Sequence, residues 1–145
     1  MKEKYICYCG LYCENCAVMV KVAPAAKTLY EEMQNAGFED IVGLIPGGDD
    51  FWLFLKGMAI GGVCASCREG GGNPGCKVRL CAKEKGVQVC ALCAEYPCGL
   101  FEDFFAGYPV LREDNALLRE KGLEAWGAMQ DARKANGYIY TANKS

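Results

Sequence analysis

Histidine is absent from this chain of 145 residues. Imidazole is the usual general base near neutral pH and the commonest metal ligand. Acid–base chemistry would therefore fall to carboxylates, tyrosine, lysine or a free thiol. The absence also excludes the histidine-containing signatures of zinc deaminases and of metalloproteases. The sequence favours a non-enzymatic role on this ground and leaves catalysis open.

Long apolar runs and a strong charge of one sign are lacking as well. The most apolar stretch, residues 51–63, carries Lys56 and is too short to span a bilayer. The first residues contain no apolar run of signal-peptide length, so we expect a cytoplasmic protein with reduced thiols. The net charge of -2 gives no basis for general nucleic-acid or membrane binding.

Cysteine is abundant: the chain has eleven, and ten of them fall into short, metal-like spacings. Three clusters contain a C-x-x-C, which lets two thiolates of one turn bind the same metal ion. Cys7 stands outside every cluster and is interpreted as a small core residue. The predicted metal ligands are Cys9, Cys13, Cys16, Cys64, Cys67, Cys76, Cys81, Cys90, Cys93 and Cys98.

Zinc is the metal that this pattern favours, with two ions expected. The pairs Cys64–Cys67 and Cys90–Cys93 are separated by 22 residues, near the zinc-ribbon spacing. Four thiolates around one zinc form a closed, structural site. Other partitions are equally compatible with the spacing. Residues 64, 67, 76 and 81 could form one site, and residues 90, 93 and 98 could join the N-terminal cysteines.

Two other functions remain open on the sequence. The spacing of Cys9, Cys13 and Cys16 matches that of radical S-adenosylmethionine enzymes, but Asn15 stands where those motifs carry an aromatic, and the chain is too short for their barrel. A [4Fe–4S] or [2Fe–2S] protein with a redox or sensing role is the main alternative, because iron–sulfur clusters use thiolate ligands. A metal-dependent enzyme with one open coordination position is the other.

The predicted fold is mainly α, with a small α+β arrangement possible: one metal-stabilised domain over residues 1–145, with zinc-knuckle-like loops between short helices. Residues 7–98 form its cysteine-rich metal-binding region, and residues 99–137 its helical C-terminal part. Apolar spacing and glycine or proline stops predict helices over residues 24–36, 78–85, 111–121 and 123–136. Residues 51–60 favour a helix over a strand, and residues 43–50 a loop.

Two further expectations concern side chains. The basic stretch Lys77, Arg79, Lys83 and Lys85 is interpreted as a solvated helix face, or as charge that offsets nearby thiolates. Tyr138, Ile139 and Tyr140 are expected to dock the C-terminal tail before it frays.

The order of the cysteine clusters resembles that of a prokaryotic family called domain of unknown function 3795. The resemblance spans about residues 8–105 and is carried by Tyr-Cys-Gly-Leu-Tyr-Cys-Glu-Asn-Cys, Cys-Ala-Ser-Cys, Cys-Lys-Val-Arg-Leu-Cys and Cys-Ala-Leu-Cys-Ala-Glu-Tyr-Pro-Cys. It implies metal binding by the ten clustered cysteines, with zinc the usual suggestion and no established reaction. The glycine-rich insert at residues 70–75 departs from the pattern.

A protein of this kind is expected to present a surface to a protein partner. The sequence names neither that partner nor a small-molecule substrate.

Overall fold

The structure is a computed structural model that describes residues 2–140. It is built from helices, and within these residues β-pairing is limited to two isolated bridges, Ile6 with Tyr12 and Cys16 with Tyr140. The mainly-α prediction is confirmed. The α-helices are α1 (Ala23–Asn35), α2 (Phe38–Ile41), α3 (Gly48–Gly61), α4 (Lys77–Glu84), α5 (Glu102–Gly107) and α6 (Val110–Ala135).

The chain divides into two compact units. One contains the first sixteen residues and everything from Ala65 onward, and the other is Ala17–Cys64. We call them the cysteine unit and the helical unit. The prediction of a single domain over residues 1–145 concerns cooperative unfolding, so it stays a prediction.

The helical unit contains α1, α2 and α3 and has a small core of its own. A π-helical turn, Val18–Val22, leads into α1, whose first turn contains a proline. The ring of Tyr30 on α1 packs on Trp52 of α3, with centroids 4.9 Å apart. The predicted helices over residues 24–36 and 51–60 are both confirmed. The predicted loop ends early, because α3 already begins at Gly48.

One side of α3 is buried and the other is left exposed. Leu55 is 1% exposed, whereas Leu53 is 71% exposed on the same helix. Phe54 and Ile60 are also exposed, at 66% and 70%. One stripe of α3 therefore packs in the interior of the helical unit, and another stripe forms an apolar outer surface.

Leu55→Ala and Leu53→Ala should separate these two stripes. Leu55→Ala removes buried methyl groups and should lower the free energy of unfolding by about 2–4 kcal/mol. Leu53→Ala should change it by less than about 0.5 kcal/mol, since the side chain is largely in water. Urea unfolding of the two variants, followed by far-UV circular dichroism, checks this. Equal losses in both would mean that Leu53 is buried in solution.

The core of the cysteine unit is aromatic. Trp126 on α6 is fully buried, and its ring meets Tyr12 edge-to-face at 6.0 Å. Leu123 and Met129 pack against the same cluster. A second cluster gathers around Phe101, Phe105 and Leu111, and it contains Cys9 and Cys90. The predicted ligand region is thus part of the core.

The predicted break between the last two helices is confirmed. Gly122 interrupts α6 with φ 81° and ψ 175°, a conformation that a residue with a side chain rarely adopts. The predicted helix over residues 78–85 is α4, followed by Gly86 at φ 63°. Tyr140 docks as predicted, because it is buried and its backbone N–H donates to the Asn15 carbonyl at 2.9 Å. The predicted fraying of residues 141–145 lies outside the described residues.

Across residues 2–140, every helix is too short or too polar to cross a bilayer.

Candidate metal centre

A tight hairpin at the start of the cysteine unit fixes the first cysteines. The backbone N–H of Cys7 donates to Leu11 O at 2.8 Å, and the N–H of Gly10 donates to Cys7 O at 3.0 Å. The turn needs φ 96° at Gly10, which a residue without Cβ adopts at little cost. Ile6 and Tyr12, fully buried on either side, hold the hairpin in the core. The hairpin therefore presents the two thiols of a C-x-C sequence, Cys7 and Cys9.

Four thiols meet beside this hairpin, and we call them the first sulfur group: Cys7, Cys9, Cys13 and Cys67. The Sγ atoms of Cys7 and Cys13 are 3.5 Å apart. Cys67 and Cys9 are near enough to raise the pKa of the Cys7 thiol. A disulfide would bring two sulfurs to about 2.05 Å. Sulfurs on a tetrahedral zinc with Zn–S of about 2.3 Å lie about 3.8 Å apart. All eleven cysteines are free thiols.

Proton sharing within the first group makes two of its members acidic. Hydrogen bonding with the Cys7 thiol lowers the pKa of Cys13 to about 7 and the pKa of Cys67 to about 6. The charges of Arg79 and Arg68 lower the pKa of Cys67 further. The hydrogen bonds to its neighbours raise the pKa of Cys7. Thiolates are the form of cysteine that binds metal.

Four other cysteines are among the twelve residues that line a small cavity, and they form the second sulfur group: Cys81, Cys90, Cys93 and Cys98. Cys90–Leu92 is a 3-10 turn, and the Cys93 N–H donates to Cys90 O at 2.9 Å. Side chains three residues apart eclipse in such a turn, so both thiols face the same side. The cavity has a volume of about 20 Å³, which is room for about one water-sized particle.

Burial makes the second group less acidic than the first. Desolvation raises the pKa of Cys90 to about 12, and the neighbouring thiols Cys9, Cys81, Cys98 and Cys93 raise it further. A metal ion would have to displace the protons of this group, as metal binding to thiols generally does. Cys9 influences both groups, so it lies between them.

The prediction of a solvated basic face on α4 is wrong for Arg79, which is buried. It is only 6% exposed, and its guanidinium donates to the carbonyls of Gly71 and Asn73 at 2.7 Å each. It also reaches the Cys67 carbonyl at 3.4 Å. A buried charge needs such partners. Arg79 therefore fixes the glycine-rich loop that follows Cys67, while its charge offsets that of the thiolate.

Asn115 on α6 joins the loops of the two groups. Its fully buried amide nitrogen donates to Cys9 O at 3.0 Å and to the Tyr96 hydroxyl at 3.1 Å. Its side chain also packs directly on Gly10, where a Cβ would collide with Asn115 Oδ1. One turn further along α6, Arg119 donates to Ala91 O at 2.6 Å and thereby holds the Cys90–Cys93 turn.

A buried polar chain holds the Cys13–Cys16 turn. Asn15 Nδ2 donates to Gln130 Oε1 at 2.8 Å, and Gln130 Nε2 donates to Asp114 Oδ2 at 2.9 Å. Arg133 completes the chain with an ion pair to Asp114 at 2.7 Å. The hydrogen bond to Gln130 gives Asn15 a structural role: it anchors the turn at the position where radical S-adenosylmethionine enzymes carry an aromatic residue.

The remaining predicted ligands lie elsewhere in the two units. Cys16 lies near Tyr108, whose pKa is raised mainly by burial and slightly by this thiol. Cys76 immediately precedes α4 and packs against the apolar cluster that contains Cys9 and Cys90. Cys64 is the half-buried last residue of the helical unit. The zinc-ribbon pairing is not what the structure shows, since Cys67 and the Cys90–Cys93 pair belong to different sulfur groups.

The thiols are not arranged as the ligands of a bound metal ion would be. Among residues 2–140, no three or more Cys, Asp or Glu side chains are spaced so that one ion would fit between them as they stand. In the first group, the thiols of Cys7 and Cys13 instead lie at hydrogen-bond distance from each other. The donor set still suits a soft divalent ion, because it is all thiol and two members ionise near neutral pH.

Cys7 packs against the second core cluster, as interpreted from the sequence, but its contact with Cys13 was not predicted, nor were the roles of Asn115 and of the Asp114–Gln130 pair. The C-x-C spacing of Cys7 and Cys9 was a usable signal, because alternate residues of a hairpin share a face. The polar residues of α6 gave no signal of their own. Asp114, Asn115 and Arg119 resemble the solvated side of an amphipathic helix until the cysteine loops are packed against them.

These features define a small, mainly α protein in which one apolar core cluster includes a thiol from each of the two sulfur groups, Cys9 and Cys90. The chain belongs to the family of proteins of unknown function DUF3795, whose model matches residues 5–103. The match covers all residues of both sulfur groups. No curated protein and no solved structure matches the chain.

Proposed function

We propose that this chain is a zinc-binding protein that uses thiolate sites to hold its fold and to present a surface to a protein partner. The observation that carries the metal part is the second sulfur group. Four thiols from α4, a 3-10 turn and the following loop converge on one cavity of about 20 Å³. Four thiolates and one divalent ion form the closed structural zinc site found in many small domains.

The size of the cavity favours a single ion over an iron–sulfur cluster. A site with room for about one water-sized particle suits one zinc ion. A cluster adds sulfides and several irons to the same four thiolates, and it would need a considerably wider cavity. Iron–sulfur binding therefore becomes the alternative outcome of the metal analysis. A catalytic metal would need an open position, and the second group supplies four thiols.

Charge around the groups supports the same proposal. A four-thiolate zinc site carries two net negative charges, so nearby cations stabilise it. Arg68 and Arg79 lie beside Cys67. The Lys85 ammonium lies near Cys81 and Cys93 and pairs with Glu95 at 2.5 Å. We place this protein in the cytoplasm, where thiols stay reduced.

Exposed apolar side chains on α3 support the partner-binding part. Leu53, Phe54 and Ile60 are each about two-thirds exposed or more, and exposed apolar groups rimmed by polar ones mark interaction surfaces. Asp49 and Asp50 occupy the first turn of the same helix. Anionic bilayers attract basic residues, so we propose a protein as the occupant of this face.

Cys81→Ser tests the zinc site directly. Protein purified without oxygen should contain two zinc ions per chain, and Cys81→Ser should contain one fewer, because a serine hydroxyl is a poor substitute for a thiolate. Plasma mass spectrometry with protein quantification measures this ratio. Leu80→Ser is the matched control, since Leu80 precedes Cys81 on α4 and is 54% exposed; it should keep both ions. Iron with acid-labile sulfide, or no metal in the wild type, would contradict the proposal.

A further inference from the structure

We propose that the outer stripe of α3 binds a second copy of this chain, which packs its own α3 against it in the antiparallel direction. The outer stripe consists of Asp49, Leu53, Lys56 and Ile60. This inference rests on the partner-binding part of the proposed function and names the partner. It is carried by the order of charged and apolar side chains, which makes the stripe complementary to itself.

The four residues of the outer stripe lie on one side of α3. They follow one another at intervals of four, three and four residues, which places them in one row along an α-helix. Leu53 and Ile60 are 71% and 70% exposed, and Asp49 and Lys56 are exposed as well. Leu55 lies on a different side of the helix, in the core of the helical unit. The outer stripe is therefore directed away from that core.

The charges of the outer stripe lie on either side of Leu53. Asp49 is one helical turn before it, and Lys56 is one turn after it. When two α3 helices pair in the antiparallel direction with a two-fold axis beside Leu53, Asp49 of each copy faces Lys56 of the other copy. The two Leu53 side chains meet at the axis. A two-fold interface uses the same patch on both copies, so the patch must complement itself in this way.

The ends of the outer stripe fit the same arrangement. Ile60 lies one turn beyond Lys56, so it comes to lie beside the segment that precedes Asp49 in the second copy. In that segment Leu44 is 83% exposed and Ile45 is 45% exposed. Burial of these apolar side chains favours association, and the two charge pairs select the orientation.

The interface is small, because each copy contributes one helix and the residues just before it. We expect a dissociation constant on the order of 10–100 µM, since small interfaces leave little surplus over the cost of association. Well below this concentration the chain is a monomer, and the stability expected for Leu53→Ala refers to that monomer.

Other occupants explain the stripe less well. An unrelated protein would account for exposed leucine and isoleucine, but it gives no reason for an acid and a base one turn to either side of Leu53. An anionic bilayer attracts basic residues and would repel Asp49, which lies on the stripe itself. Solvated charges are usual on a helix surface, but they do not explain the apolar side chains between them.

Exchange of the two charges tests the pairing. Asp49→Lys and Lys56→Asp each place like charges opposite one another at both pairs, and each should raise the dissociation constant about tenfold or more. The double variant should return to the wild-type value. An equal mixture of the two single variants should form a heterodimer, because both of its cross-pairs are attractive. Sedimentation velocity of the full chain at low salt, from well below to well above the expected dissociation constant, measures this.

Glu113→Lys is the control for net charge. It changes the charge as much as Asp49→Lys does, at an exposed position of α6, and should leave the dissociation constant unchanged. Leu53→Asp should abolish the dimer, because it places two carboxylates at the axis. The substituted positions are all exposed, so we expect each variant to keep the far-UV circular dichroism of the wild type.

Several results would overturn the inference. One is a wild type that stays monomeric at the highest concentration, and another is a pair of single variants that do not associate when mixed. A dimer that tolerates both charge exchange and Leu53→Asp would use a different face. Binding of a monomeric wild type to phosphatidylserine vesicles would assign the stripe to a membrane. None of these results concerns the zinc site, which the metal content of Cys81→Ser tests separately, and a monomer that binds another protein through α3 would contradict only the identity of the partner.

Discussion

Chelation of the zinc-loaded protein should unfold its cysteine unit. Structural zinc contributes about 10–16 kcal/mol of folding free energy per site at neutral pH, whereas the net stability of a whole domain is about 5–15 kcal/mol. Both sulfur groups belong to the cysteine unit. Without metal, the loops around residues 7–16 and 64–98 lose their main constraint, and the buried thiols gain no replacement.

The two tryptophans allow unfolding after metal removal to be followed separately in each unit. Trp126 is buried in the cysteine unit and Trp52 in the helical unit. In a Trp52→Phe background, addition of a strong chelator should shift the Trp126 emission to longer wavelength. In a Trp126→Phe background, the response of Trp52 reports whether the helical unit depends on the metal. A shift in both backgrounds would favour the single cooperative domain predicted from the sequence.

Addition of zinc should restore the emission of Trp126, and magnesium should not, because thiolates prefer soft ions. A Trp126 spectrum that stays unchanged after complete removal of metal would contradict a folding role for zinc.

Asp114→Ala should be among the most destabilising single substitutions in this chain. The Asp114 carboxylate is completely buried and pairs with both Arg133 and Gln130. Its removal leaves a guanidinium and an amide without their partner, a change that costs about 3–5 kcal/mol when the charge is buried. We expect the lower end, about 3 kcal/mol, because Arg133 is 24% exposed.

The loss should extend to the cysteines, since Gln130 also holds Asn15 in the Cys13–Cys16 turn. Asp114→Ala should therefore weaken zinc retention in competition with a chelator, besides lowering the urea midpoint. Glu113→Ala is the matched control on the same turn of α6, where the side chain is exposed; it should alter stability by less than about 0.5 kcal/mol. Equal midpoints for the two variants would show that the buried network contributes little.

Local sequence signals were sufficient for the helices. Gly86, Gly122 and Gly137 end helical segments where the sequence placed the stops, because each takes a positive φ. Apolar spacing was correct for the buried Ala26 and Tyr30 of α1 and for Trp126 of α6, but it also placed Leu29 on the apolar face of α1, where the side chain is 47% exposed. The start of α3 was missed, since Gly48 and Asp49 are more typical of loops and only packing on Val42 selects the helix there.

The grouping of cysteines could not be read from spacing. Cys67 joins Cys7 and Cys13 across more than fifty residues, while Cys81 joins the Cys90–Cys93 turn. These partners are set by how α4 and the hairpin pack on α6, which is a tertiary property. The same reason applies to Arg79, whose carbonyl partners exist only once the glycine-rich loop has folded over it.

Gly10 and the Asn115 side chain fit closely against each other, although the two residues are far apart in the chain. A methyl group at residue 10 would occupy the place of the Asn115 oxygen. A shorter side chain at residue 115 would leave the Cys9 carbonyl without this hydrogen-bond donor. Evolution can thus replace neither one alone without loss. Because Gly10 also has φ 96°, a smaller residue at position 115 would not make a side chain at position 10 acceptable, and we expect glycine at this position among relatives.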